Sequence, residues 1–425
     1  MENEPERNEK EFRRDTEVIV TQGNELLKAL YPYHLIAENE MELYTEKDSS
    51  SILSNFKYFR IKSCFVEKVE NEFDYLYQKM QKLFSAIHPL GLTITYGIVT
   101  INGMANIVFG INDAENIELI KRVISGLLLG IELEEIEPKF KQNINYKGIF
   151  SAIPSYKIED EKQKFDISPL MRGLNGEDYT LLFIATPVSN ERVFQKIRNL
   201  MQIKDECFAV SKRNIARQEG ITRTESESKG ESRNSSHTTG GYAGGFFLVA
   251  GGGASYSYNK SKGKNWSTGI SETISKNDTI SGDVQNSFAL ELMEYAEEGI
   301  ERFRLGQTSG MWKTVITYSS DSILARNLIQ SSLSGEIAKP NSKLLSAKSF
   351  SSDNATETLL IPKGILEGDD GENPLITYLN SSELSMLCTL PTDSTPNFEL
   401  INQKQYSLRL PDSNGETIEI GKTEN

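Results

Sequence analysis

Apolar positions along this chain alternate between a strand-like and a helix-like period. Residues 61–66 read as a strand. Across 69–87, Phe73, Leu76, Met80 and Phe84 recur at three- and four-residue steps and predict an amphipathic helix. Residues 92–100 and 105–111 predict a β-hairpin around Asn102-Gly103, a pair suited to the positive backbone angles of a tight turn. Asp113 is placed to cap a following helix that turns Ile117, Ile120, Val123, Ile124 and Leu127 inward. Residues 179–185 form a near-continuous apolar run, as expected of a strand buried on both faces. A long helix is predicted over 190–217. A second, over 283–303, turns Val284, Phe288, Leu292, Tyr295 and Ile300 to its buried side. Residues 312–318 return as a strand, with Trp312 expected to pack it against the 283–303 helix, and 323–333 as a helix. This succession predicts an α/β (mixed α+β) fold with helices covering sheets.

The same pattern divides the chain. Residues 1–50 read as a polar tail leading into a short ordered piece around 26–35. Residues 51–217 and 283–340 form the two halves of an α/β domain, and 341–425 a small β-rich connector. Between the long helices lies a Ser/Gly-rich stretch, 218–282, read as a flexible insertion at the tip of a helical hairpin. Its polar parts carry too little apolar surface to offset the entropy of ordering them.

Composition narrows the chemistry. The chain has 425 residues, 38% of them hydrophobic, enough for more than one folded core. A net charge of −14 repels phosphate backbones, so contact with nucleic acid requires a local basic patch. Residues 1–15 are densely charged and unlike a signal peptide, and no run reaches the roughly 20 apolar residues of a spanning helix. Cys64, Cys207 and Cys388 are far apart and fit reduced core thiols in the cytoplasm. His34, His88 and His237 have no second ligand at zinc spacing. Residues 367–373 are acidic but lack the alternating pattern of a calcium loop and read as a solvated turn. No Gly-x-Ser-x-Gly elbow is present. Glu134-Glu135 and Glu297-Glu298 read as surface charges, so no catalytic residue is assigned.

A set of short motifs points further. Ala152-Ile153-Pro154-Ser155, Ser168-Pro169-Leu170-Met171-Arg172-Gly173-Leu174 and the run over 179–185 come first. Gly310-Met311-Trp312 then opens Val315-Ile316-Thr317-Tyr318 and Ser320-Asp321, and the helical stretch ends at Ser334-Gly335-Glu336, before Lys339-Pro340. Leu379-Asn380-Ser381-Ser382-Glu383-Leu384, Leu390-Pro391-Thr392, Pro396-Asn397-Phe398-Glu399-Leu400 and Ile418-Glu419-Ile420-Gly421 close the series. In order and spacing it resembles the region upstream of the nucleotide-binding domain in HerA-like DNA translocases and the related type IV secretion and conjugation ATPases. The resemblance implies a module of a homo-oligomeric ring that moves DNA or protein in conjugation, secretion, DNA processing or anti-phage defence. ATP and Mg belong to the motor domain, which is missing from these residues, so no nucleotide-binding residue is assigned and no cofactor is expected in this chain. The tail ending Gly421-Lys422-Thr423 does not supply a phosphate loop. The loop needs a glycine where Glu416 stands, and 417–420 alternate like a strand.

The insertion carries the candidate contacts. Gly240, Gly241, Gly244, Gly245, Gly251, Gly252 and Gly253 surround an apolar centre over 246–250, without the spacing of a dinucleotide loop. Lys260, Lys262, Lys264 and Trp266, near Tyr256 and Tyr258, interleave cations with aromatics, the combination that suits single-stranded nucleic acid or a protein partner. Two other readings are weighed against the translocase module. One is a pore-forming or membrane-active protein that inserts a hairpin over 240–275, although its arms lack one clean apolar face. The other is a partner-binding adaptor.

Overall fold

The computed structural model describes residues 4–37, 41–67, 71–218 (apart from 102, 114, 129, 139, 141–143 and 155–165), 279–337, 347–352, 359–369 and 372–403. In chain order the first elements are α1 (Glu4–Leu30), α2 (Glu46–Ser54), β1 (Lys57–Glu67), α3 (Glu72–Ile87), β2 (Ile94–Ile101), β3 (Met104–Ile111), α4 (Ile117–Leu127) and β4 (Glu132–Ile136). Then come β5 (Tyr146–Ser151), α5 (Ser168–Gly173), β6 (Tyr179–Val188), α6 (Asn190–Ser211), β7 (Lys212–Gln218), β8 (Thr279–Gln285) and α7 (Ser287–Ser309). Last are β9 (Met311–Ser320), α8 (Ile323–Ile337), β10 (Lys348–Ser352), β11 (Thr377–Asn380), α9 (Ser381–Leu387) and β12 (Glu399–Gln403). The fold is mixed α+β, as the pattern predicts, and divides into two compact units. One comprises Met1–Ile36 and Ser189–Thr308, the other Ala37–Val188 and Ser309–Asn425. Among the described residues no helix is long and apolar enough to cross a membrane.

The second unit is built on a ten-stranded sheet in the order β10-β5-β9-β6-β2-β3-β1-β12, with β11 also paired to β9 and β4 to β1. Its pairings are antiparallel, except that β12 runs parallel to β1. At its centre β6 and β9 pair from Tyr179↔Ser320 to Val188↔Met311. Both strands are almost wholly buried, which is why 179–185 read as one apolar run. The β2–β3 hairpin forms where predicted, and Gly103 takes the positive φ of 76° that its turn requires. β10, β11 and β12 all join this sheet, so residues expected to form a separate connector contribute strands to the core.

Helix α3 buries Phe73, Leu76, Met80 and Phe84, as the spacing predicts, together with Tyr77, Leu83 and Ile87. Phe73 and Tyr77 form an apolar cluster with Met386 of α9. Asn116, rather than Asp113, occupies the cap position of α4. Asp113 instead accepts hydrogen bonds from the Glu115 backbone N–H (2.8 Å) and the Asn116 side-chain amide (2.7 Å). Trp312 has Phe84 and His88 as its ring neighbours, at 6.3 and 5.1 Å between centroids.

The first unit is helical. The stretch expected to be a polar tail is the 27-residue helix α1, which packs along α6. Ile19, Leu26, Leu27 and Leu30 of α1 are buried, as are Val193, Ile197, Leu200, Ile203 and Cys207 of α6. α7 approaches closely at Gly299, where a Cβ would lie 2.8 Å from Leu30 and 3.1 Å from Leu200. Lys204 of α6 is paired with Glu297 of α7. The predicted helix over 190–217 stops at Ser211, because the chain turns into β7 and pairs with β8 from Lys212↔Gln285 to Gln218↔Thr279.

Candidate functional site

The strongest sequence candidates are carried by the stem just described. α6 is capped by Ser189, whose Oγ accepts the Arg192 N–H at 3.2 Å. At its far end the Asn286 N–H donates to the Ser211 carbonyl (3.0 Å), tying the end of α6 to the start of α7. The Asn286 side chain accepts from the backbone N–H groups of Phe288 (3.1 Å) and Ala289 (3.3 Å) and so caps α7. β7 and β8 extend this helical pair and bring Gln218 opposite Thr279. Residues 219–278 therefore leave and return at neighbouring positions. Lys260, Lys262, Lys264, Trp266, Tyr256 and Tyr258, and the glycines Gly240, Gly241, Gly244, Gly245, Gly251, Gly252 and Gly253, lie outside the described residues. So does the tail over 415–423.

Among the described residues, the grouping closest to a catalytic arrangement lies where β9 begins. His88, Ser381 and Glu383 are the residue types of a nucleophilic triad, but their partners exclude that role. His88 Nε2 faces the backbone of Met311, 2.9 Å from its O and 3.2 Å from its N. Burial lowers the His88 pKa and favours the neutral ring, while hydrogen bonds to the Met311 and Val188 backbone act in the opposite direction. Ser381 Oγ accepts the Trp312 indole N–H at 3.0 Å and donates to the Ser309 carbonyl at 2.6 Å. The Glu383 carboxylate accepts the Asn380 N–H at 3.0 Å, and Asn380 Oδ1 accepts the Glu383 N–H at the same distance. This reciprocal capping box starts α9 inside the core. These groups lock α9 and β9 together.

Glu134, Glu135 and Glu297 lie at the surface as the sequence suggests, whereas one carboxylate oxygen of Glu298 is buried. Glu134 pairs with Lys62 (3.4 Å) and Arg60 (3.7 Å), Glu135 with Lys121, and Glu297 with Lys204. Exposed pairs of this kind contribute little to stability. In the acidic stretch 367–373, Glu367 accepts from the Tyr44 hydroxyl at 3.2 Å, and Asn373 donates to the Glu42 carbonyl at 2.8 Å. Gly368 receives Lys313 Nζ on its carbonyl. Among the described residues, no group of three or more His, Cys, Asp or Glu side chains is disposed to hold a metal ion. Burial raises the pKa of Cys64 to about 12 and of Cys207 to about 11, and that of Cys388 well above its ordinary value. These are buried free thiols. The capping box is the feature that sequence reading missed here, although Asn-x-x-Glu ahead of Leu384 is its signature.

No protein family profile matches the chain, and no curated protein matches it.

Proposed function

We propose that this chain is a non-catalytic assembly, gating and docking module of a HerA-like ATP-driven translocase of DNA or protein, with residues 219–278 as its contact element. The observation that carries this reading is the stem. Two long helices, cross-tied at Ser211–Asn286 and extended by a β-pair, lead into and out of a segment rich in lysine, aromatic residues and glycine. Motif-bearing residues far apart in sequence also belong to one unit: β6 pairs with β9, β11 pairs with β9, α9 follows β11, and β12 joins β1. ATP and Mg act in the motor domain of such a machine, and this chain shapes or docks it.

The test uses a fluorescently labelled single-stranded oligonucleotide. The intact chain is expected to bind at low salt. Replacing Lys260, Lys262 and Lys264 with Glu and Trp266 with Ala should weaken binding by about tenfold or more, with a shallower salt dependence. Equal binding by the variant would sink the DNA-contact version of the proposal. Leakage of dye-loaded liposomes that disappears when 240–253 are deleted would favour the membrane-active reading instead. Reading the gene past codon 425 addresses the motor directly: an open frame encoding Gly-x-x-x-x-Gly-Lys-Ser/Thr is expected there or in the adjacent gene.

A further inference from the structure

Helix α6 carries two apolar stripes. The first is buried against α1. The second faces outward: Phe194, Met201 and Phe208 are 50%, 38% and 58% exposed, one every seven residues. Arg198 and Asp205 lie between them on the same face and are also exposed. The guanidinium of Arg198 sits over the Phe194 ring, 5.2 Å from its centroid and within the reach of about 6 Å of a cation–π contact. An outward apolar stripe is costly to leave in water, and its symmetry indicates what covers it.

We infer that this face of α6 binds the same face of a second copy, antiparallel, about a two-fold axis passing Met201. At 1.5 Å per residue, Phe194 and Phe208 lie about 10.5 Å on either side of Met201, so each ring meets the other kind across the axis. Arg198 lies about 4.5 Å on one side and Asp205 about 6 Å on the other, at nearly the same angle around the helix. The two-fold therefore brings Arg198 of each copy alongside Asp205 of its partner, twice, on one edge of the contact. Lys204, the like charge at the same height as Arg198 of the second copy, points to the opposite edge and is paired with Glu297. Charge and shape are thus self-complementary, which is the requirement for an isologous interface. A parallel arrangement would put Arg198 of one copy and Asp205 of the other on opposite edges of the contact and lose both pairs. The contact closes at two copies and forms no ring by itself, so it does not rest on the translocase reading.

A single helix pair falls short of the usual interface of about 1,600 Å², so the dissociation constant should be on the order of 10 µM. Sedimentation of the full chain should show a 47.7 kDa monomer giving way to a dimer as concentration rises. A mass that stays monomeric to about 200 µM, well above the expected constant, overturns the inference. Arg198→Glu should weaken association by about tenfold, and adding Asp205→Arg to it should restore it; failure of the double change to recover also overturns it. All of these side chains are exposed, and an unchanged circular dichroism spectrum confirms that each variant folds. Met201→Cys should form a disulfide-linked dimer on mild oxidation, since the three native thiols are buried. Phe194→Cys alone should not, but should cross-link when mixed with Phe208→Cys. Self-cross-linking of Phe194→Cys at the Met201→Cys rate would indicate parallel pairing and reject the geometry.

Discussion

Gly310 and His88 show how tightly single residues are held where β9 begins. Gly310 has a φ of +102°, and a Cβ there would lie 2.7 Å from the His88 ring. Gly310→Ala combines backbone strain with overpacking and is expected to cost about 2–4 kcal/mol, read as a lower midpoint in thermal unfolding followed by tryptophan fluorescence. Trp312 is in edge contact with His88 and reports on this site. His88 itself makes stability depend on pH. Its folded pKa lies below 6.5, so the unfolded chain takes up the proton first as the medium becomes acidic. The stability held by the neutral ring is full above pH 6.5 and is lost as pH falls from there through the folded value. His88→Gln should flatten that part of the melting-temperature profile; an unchanged slope would show that other groups set it.

Capping and pairing decide what happens at the scale of elements. α9 is a short helix, and its seven residues are all buried, so water cannot satisfy its first N–H groups. Asn380→Ala removes one half of the capping box and should cost about 1–2 kcal/mol, measured as a lower urea midpoint. Asn380→Ser, which keeps an acceptor, should recover most of it. Elements with a strong local period were legible in the sequence: α3 from Phe73, Leu76, Met80 and Phe84, and the β2–β3 hairpin from its Asn-Gly turn. α1 was missed because its first turns are almost purely charged and its buried stripe becomes dense only at Leu26, Leu27 and Leu30. β7 was read as more helix because Lys212 to Gln218 has no alternation; its strand form is set by β8, a distant partner. The order of the sheet was beyond reach for the same reason, since β1 pairs with β12 and β6 with β9 across long stretches of chain.

For the whole molecule, the stem predicts that the insertion is separable. Gln218 and Thr279 are already opposite one another, so replacing 219–278 with Asn-Gly should close a two-residue hairpin. The shortened protein is expected to keep its helical circular dichroism and to melt within a few degrees of the intact chain, whereas loss of cooperative melting would make the insertion part of the core. The unusual composition of that insertion was legible at once. The outward stripe of α6 was not singled out, because Phe194, Met201 and Phe208 gain meaning only once Val193, Ile197 and Leu200 are known to face α1.

The pairing of β6 with β9 also bears on how the protein is made. Val188 leaves the ribosome about 120 residues before its partner Met311, a delay of roughly 6–24 s at ordinary elongation rates. Throughout that interval a strongly apolar central strand of the sheet waits with an open edge, a template for wrong pairing. The helices encoded in the gap can fold locally meanwhile, so synthesis itself favours completing the helical unit before the last strands of the sheet arrive.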